Sequence, residues 1–562
     1  MFKRGKKSKF VSASISPDEV FLDSKNIPNF DSHQFEGRME KPISFHVFVF
    51  LGAFFLMTGL FLIGRIGQLQ IVSGDGFAAR AENNRLNVVP LLAERGLIYD
   101  RNEEVLAWND PDSRRYKKLD GLGHIVGYLG CPVEEDYDRN QFASYKNVIG
   151  KDGVEKSYEN ILAGEPGFKI VETDSRNEIK SEIIQKHSEL GEPVYLSIDS
   201  RLQDSFYNII TNLSVDKGFQ GGAGVIMDVH TGEILSMVNY PEYNSQILTN
   251  GEQDELIQGY INDPQKPFLN RAISGLYAPG SVVKPFMALA ALNEKIIDPE
   301  REIFSSGSIS IPNPYNENEK SVFADWKAHG WVDMKRALAV SSNVYFYSIG
   351  GGYENVNGLG IRRIKDYMDF FGFGSKTGID LSGESEGLVP SQESKKENSN
   401  DPVWRIGDTY NVSIGQGGFL VTPLQMAVAT AFLANGGYLI TPSIILKNEV
   451  GQSERVGISE KNFNIVKEGM RMAVTEGTAN ALNWFPVNFA AKTGTAELGS
   501  GKYVNSWLIS FWPYENPRYA ASIVMEKGRS TNLIGALFAM KQLVDWMLIH
   551  TPEYLKGVDD FN

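Results

Sequence analysis

The longest apolar run sets the first boundary. Residues 43–64, ISFHVFVFLGAFFLMTGLFLIG, are apolar on every helical face and contain no Asp, Glu, Lys or Arg. About 20 such residues cross a bilayer as a helix, so the pattern predicts a membrane span, with His46 near its edge. The preceding 42 residues are polar, open on Lys3, Arg4, Lys6, Lys7 and Lys9, and close on Lys41 beside the span. That bias predicts a cytoplasmic N-terminus and an exported chain after Arg65. The tail is too long for an ordinary signal-peptide n-region and no A-x-A site closes the run, so the span is expected to remain as an anchor.

Beyond the span, 67–91 reads as a helix passing into extended chain, since Pro90 and the Val/Leu run break helical spacing. Residues 93–109, AERGLIYDRNEEVLAWN, alternate apolar and polar about Asp100-Arg101-Asn102 and predict a hairpin. A polar stretch follows to residue 151, and 150–164, GKDGVEKSYENILAG, predicts a short amphipathic helix ending at Gly164. Near Pro193 the texture becomes richer in apolar residues. A strand enters a helix from 194, and GGAGVIMD and EILSMVNY flank a turn with Gly232. SWLISFWPY and YAASIVMEKG pair about Glu515-Asn516-Pro517, and a last helix spans about 533–548. Strands at both ends with helices between predict one α+β domain whose sheet unites its termini. The polar run 391–402, SQESKKENSNDP, reads as a solvated loop. The expected division is 1–42 tail, 43–64 span, 65–190 small β-rich pedestal, 191–550 large domain and 551–562 tail.

Composition narrows the chemistry. A net charge of -14 over 562 residues argues against nucleic acid as a partner. One cysteine, Cys131, excludes an internal disulfide framework, and the 7 histidines show no HExxH pairing, so neither metal nor cofactor is expected.

Within the large domain, YAPGSVVKPFMALAALNEK carries Ser281 and Lys284 at the start of an apolar helical run. A spacing of three stacks both on one face, and Ser281 meets the free N–H groups of a helix start. Lys284 can take the serine proton only if burial or a second cation suppresses its charge. Ser-x-x-Lys alone is expected roughly twice by chance in such a chain, and Ser214–Lys217 is one such decoy. Order raises the signal: Ser341-Ser342-Asn343 follows, then Lys492-Thr493-Gly494-Thr495. Lys-Thr-Gly also occurs at 376–378, after a helix and its Gly cap, where a loop is expected; the later copy precedes the terminal strands and is expected on a cleft-edge strand. Ser-x-Asn recurs at Ser24 and Ser175, but only Ser341 lies between the other two motifs.

Ser-x-x-Lys, Ser-x-Asn and Lys-Thr-Gly form the motif set of penicillin-binding proteins and class A β-lactamases. With the pedestal motif around Arg95, Gly96, Asp100 and Arg101, and the 150–167 block, the chain resembles a class B penicillin-binding protein over nearly its whole length after the span. The stretch 407–427, GDTYNVSIGQGGFLVTPLQMA, and SSNVYFY resemble the elongation type, penicillin-binding protein 2-like, more than the division type. The resemblance implies a penicillin-sensitive D-Ala-D-Ala transpeptidase acting on peptidoglycan stem peptides. Ser281 would be the nucleophile and Lys284 its base, with Ser341 relaying protons and Asn343 positioning the peptide amide. Lys492, Thr493 and Thr495 would hold the terminal carboxylate beside Gly494, and the N–H groups of Ser281 and Thr495 would form the oxyanion hole. Asp408, Gln416 and Gly417 are expected in the cleft floor, and Tyr345, Phe346 and Tyr347 in the core. Only about 50 residues separate the Asp100 motif from the Gly150 block, short for the family's pedestal head. Asp325 and His329 lie where some relatives hold a metal, but no cysteine is near. The resemblance also implies a RodA-like membrane glycosyltransferase as partner. A DD-carboxypeptidase, β-lactamase or penicillin sensor would use the same serine, and a non-catalytic scaffold the same fold.

Overall fold

The structure is a computed structural model that describes residues 44–78, 86–111, 113–137, 148–173, 178–313, 316–447, 455–499 and 501–556. The basic tail, Ser24 and Ser175 lie outside the described residues. The chain divides into two units, 1–87 with 171–181, and 88–170 with 182–562. In the first, helix α1 (Phe45–Gly67) continues through a wider turn to Val72 and buries no side chain. Over Phe45–Val72 it is long and apolar enough to cross a membrane.

The second unit opens with the predicted hairpin. Strands β1 (Ile98–Tyr99) and β2 (Val105–Asp110) pair antiparallel, β3 (Ser113–Tyr116) adds to β2, and β4 (Val194–Tyr195) pairs parallel with β1. The turn is organised by Asp100, whose Oδ1 accepts from the N–H groups of Asn102 and Glu104. Its Oδ2 accepts from the backbone N–H and hydroxyl of Ser200 (3.1 and 2.7 Å), at the start of helix α2 (Ser200–Lys217). Arg101 donates to the carbonyl of Ser197. Arg95 and Arg114 share the fully buried carboxylate of Glu155, and Arg95 also reaches Glu159. These residues fasten segments far apart in sequence, since a buried carboxylate persists only when its oxygens are satisfied. The 150–164 segment is two short helices, Gly153–Ser157 and Glu159–Leu162, rather than one. They break at Tyr158, whose hydroxyl is drawn to Asp380, and Gly164 takes the left-handed conformation beyond the second.

The large domain is built on a five-stranded antiparallel sheet of β5 (Gly221–Asp228), β6 (Ile234–Tyr240), β7 (Ala490–Leu498), β8 (Tyr503–Trp512) and β9 (Tyr519–Arg529), in the order β6-β5-β9-β8-β7. N- and C-terminal strands therefore share one sheet, as the pattern predicts. Alternation divides their side chains between two cores: Val225 and Met227 enter one, Ile226 the other; Trp507 and Ile509 face one, Leu508 and Trp512 the other. Both faces are covered, which is why these strands are apolar throughout. Helices α2 and α7 (Ala536–His550) cover one face; α7 begins three residues later than expected. The other face carries α3 (Lys284–Asn293), α4 (Asn343–Gly351), α5 (Pro423–Ala434) and α6 (Glu460–Thr475). From Lys284 to Leu292 every residue of α3 is buried, so its apolar surface is continuous all round. β7, the edge strand, is left free to border a cleft.

One expectation fails here. Residues 391–402 are not a loop throughout, because Gln392–Asn398 is helical. Ser391 and Ser394 cap it reciprocally, each side chain accepting from the other's backbone N–H.

Candidate active site

Ser281 lies in a 3₁₀ turn, Gly280–Val283, that runs directly into α3. The turn is held by a close backbone approach. Gly280 donates its N–H to the carbonyl of Gly415 (2.9 Å), and both glycines have positive φ. A methyl group on Gly415 would fall 2.2 Å from the Gly280 oxygen, and one on Gly280 would fall 3.0 Å from that of Thr495. Gly415→Ala is therefore expected to cost about 2–4 kcal/mol through strain and overlap. It should lower the melting temperature and slow acylation of Ser281 together, which thermal unfolding and penicillin-labelling rates would check.

One turn further along, Lys284 projects beneath the cleft, with no exposed surface. Its Nζ donates to the carbonyl of Ser341 (2.8 Å), to Ser341 Oγ (3.3 Å) and to Asn343 Oδ1 (2.7 Å). Lys492, equally buried, donates from the other side to Ser341 Oγ (2.8 Å) and to its neighbour's carbonyl at Thr493 (2.8 Å). Two amines thus share one hydroxyl. Burial lowers the Lys284 pKa to about 7, with the Asp325 charge opposing the fall. Burial and then Lys284 push Lys492 well below the ordinary lysine range. An amine so placed can accept a proton near neutral pH.

Ser341 sits in a left-handed conformation between the helix Met334–Val340 and α4. The next residue, Ser342, caps α4 through Tyr345 N–H. Sequence reasoning missed what holds this junction. Asp325 Oδ2 accepts from the hydroxyls of Ser305 (3.1 Å) and Ser342 (2.7 Å) and from Val344 N–H (3.0 Å), and its Oδ1 from Trp326 N–H. His329 lies 3.6 Å from Asp325, and burial lowers its pKa. Among the described residues no cluster of three or more His, Cys, Asp or Glu could hold a metal. Asp325 serves the N-terminus of α4, where a carboxylate is stabilised.

The cleft above has a volume of about 750 Å³. Ser281, Ser341 and Asn343 line it with Thr493, Gly494 and Thr495 from β7, and neither lysine forms its wall. Lys492 instead turns in under Ser341, while Thr493 Oγ1 donates to Thr478 Oγ1 (2.6 Å). Gln416 and Gly417 line the cleft as expected, but Asp408 does not. Its carboxylate accepts from Arg405 N–H at the start of helix Ile406–Ser413 and pairs with Lys395. Tyr345 and Phe346 are core residues, as expected; Tyr347, though largely buried, also lines the cleft. Trp326, Asn411, Thr478 and Glu497 complete a wall that spacing alone did not reveal. The decoys fall elsewhere. Ser214 is buried in α2, and Thr377 donates to Glu384 in a loop.

Comparison with known proteins agrees with this architecture. Residues 222–539 match the family model of the penicillin binding protein transpeptidase domain, and 110–196 that of the penicillin-binding protein dimerisation domain. The peptidoglycan D,D-transpeptidase MrdA of Haemophilus influenzae is 30% identical over 619 aligned residues, covering 90% of this chain and 92% of that protein. Among solved structures, Pseudomonas aeruginosa PBP2 in complex with WCK 5153 matches with a TM-score of 0.71 and 30% identity, covering 84% of this chain and 99% of that one. PBP2 of Helicobacter pylori, in complex with MreC, matches with a TM-score of 0.71 and 26% identity over 82% of this chain and 98% of that one.

Proposed function

We propose that this chain, which belongs to the class B penicillin-binding proteins as a peptidoglycan D,D-transpeptidase of the MrdA, elongation type, works through an acyl-enzyme on Ser281. One observation carries the assignment of the residues. Three stretches of sequence meet so that Lys284 Nζ, Ser341 Oγ and Lys492 Nζ form a continuous hydrogen-bonded row under the cleft that Ser281 lines.

Ser281 Oγ attacks the carbonyl of the penultimate D-Ala and its proton passes to neutral Lys284. The backbone N–H groups of Ser281 and Thr495 receive the oxyanion, and Asn343 orients the donor amide. The proton returns through Ser341 to the departing D-Ala nitrogen, the C–N bond breaks, and the acyl group remains on Ser281. An acceptor amine then attacks the ester, loses a proton to the same row and frees the serine. Thr493 and Thr495 hold the terminal carboxylate from the open side, with Gly494 giving close approach and Lys492 fixing Ser341 from behind. A β-lactam enters the first half of this sequence, its ring amide in place of the D-Ala-D-Ala bond.

The division proposed is a tail over 1–42, an anchor over 43–64 with its N-terminus in the cytoplasm, a pedestal over 65–190, the transpeptidase over 191–550 and a tail over 551–562. The apolar helix α1 supports the anchor. A RodA-like glycosyltransferase would supply the glycan, and the complex of Helicobacter pylori PBP2 with MreC supports a role within a larger assembly.

Mass spectrometry of the full chain in detergent after penicillin treatment is expected to find one adduct, on Ser281. An adduct on another serine overturns the site. With a D-Ala-D-Ala stem peptide and an amine acceptor, aminolysis should exceed hydrolysis; hydrolysis alone would make the protein a carboxypeptidase or sensor. Because Lys284 must be unprotonated to act as base, acylation is expected to rise with pH to a plateau, with its midpoint at about 7. A penicillin-acylation profile that stays flat from pH 5 to 9 would exclude Lys284 as the base.

A further inference from the structure

Glu497 belongs to the cleft yet has no part in the acyl-transfer chemistry. It lies two residues beyond Thr495 on β7, so Thr493, Thr495 and Glu497 project to the same side, and all three line the cleft. It is exposed, it has no ion-pair partner among the described residues, and no other acid lines the cleft. Its charge is felt on the opposite wall: the Tyr347 pKa is raised by burial, then by Asp325 and Glu497. An unpaired carboxylate in such a wall attracts a cation.

The acyl-enzyme reading, on which this inference rests, fixes where along the substrate that cation lies. The terminal carboxylate sits at Thr493 and the scissile carbonyl at the N–H of Thr495. Two residues of antiparallel strand advance about 7 Å, so Glu497 stands past the scissile bond on the acyl side. The group there is the stem residue that precedes D-Ala-D-Ala. Cross-linking joins two copies of one polymer, so a donor stem peptide carries the same kind of amine that attacks from its acceptor, and the side chain of that residue is where Glu497 would meet it. At neutral pH it is an ammonium. We infer that Glu497 is a specificity residue that pairs with the side-chain ammonium of the donor stem peptide, selecting donors whose amine is free over those whose amine is acylated.

The test compares two donors, a D-Ala-D-Ala stem peptide with a free side-chain amine and the same peptide N-acetylated there. The kcat/KM for acyl transfer from each is measured on the full chain in detergent, with active sites counted by benzylpenicillin titration. The unsubstituted protein should prefer the free amine by about two- to fivefold, the range of an exposed ion pair. E497Q should bring the ratio near one, and E497K should bring it below one. A ratio that is the same in all three proteins overturns the inference, as does an effect confined to acceptor concentration dependence, which would assign Glu497 to the acceptor. If benzylpenicillin fails to titrate Ser281 even in the unsubstituted chain, the acyl-enzyme reading fails instead.

Discussion

Ser281→Ala is expected to abolish covalent labelling by a fluorescent penicillin and to reduce transpeptidation by about four to six orders of magnitude, as loss of a nucleophile does. The hydroxyl is half-buried at the cleft wall, and among the described residues its side chain makes no hydrogen bond. The substitution removes reactivity without stranding a buried polar partner, so the fold should survive and the melting temperature should stay within about a degree. Ser214→Ala provides the matched control. That serine satisfies the same Ser-x-x-Lys spacing but is buried in α2, outside the cleft, so labelling should persist. The two Lys-Thr-Gly copies separate in the same way. Lys492→Ala removes a donor from Ser341, whereas Lys376 borders a loop held to Glu384 and should be dispensable for labelling. Labelling that survived Ser281→Ala, or that vanished in Ser214→Ala with the fold intact, would move the nucleophile elsewhere.

Those decoys show where the sequence was informative. The later Lys-Thr-Gly copy follows small residues and precedes two long β-rich runs, so its place on an edge strand is a matter of local pattern. The burial of Lys284 is legible in the apolar helix around it, since a lysine inside a continuous apolar run has nowhere wet to go. What escaped depends on partners distant in the chain. Asp325 holds the second motif through Ser305, twenty residues upstream, and Ser342, seventeen downstream, with no period linking them. Asp408 sits in a stretch resembling the family, yet its carboxylate closes a helix start and meets Lys395 from the helix that looked like a polar loop. In 391–402 the charged run masks a capping pair, Ser391 and Ser394, because a helix this short and polar has no apolar period to announce it. The motif predicts Lys492 at the ligand carboxylate, and alternation along β7 turns it the other way, toward Ser341.

Lys284 offers the sharpest separation of chemistry from architecture. Lys284→Ala should slow acylation by about two to four orders of magnitude, the usual contribution of a positioned base. It also leaves Asn343 Oδ1 and the Ser341 carbonyl without their donor, so some loss of stability accompanies it. Lys284→Arg distinguishes the two effects. A guanidinium keeps donors for Ser341 and Asn343 but stays protonated at every working pH, so it cannot take the serine proton. If the role of Lys284 were only to brace the second motif, arginine would restore much of the rate. If it is the base, the arginine protein should be as slow as the alanine one, and in both the rise in acylation centred at about pH 7 should disappear. The sign follows from the buried amine: lowering the pH protonates it and removes the base, while raising the pH frees it. Neighbouring Lys492, whose own pKa is pushed down by burial and by Lys284, stays charged more readily once Lys284 is gone. Its retained grip on Ser341 should hold the cleft in shape, so stopped-flow acylation across pH 5 to 9 measures proton transfer and not collapse of the site.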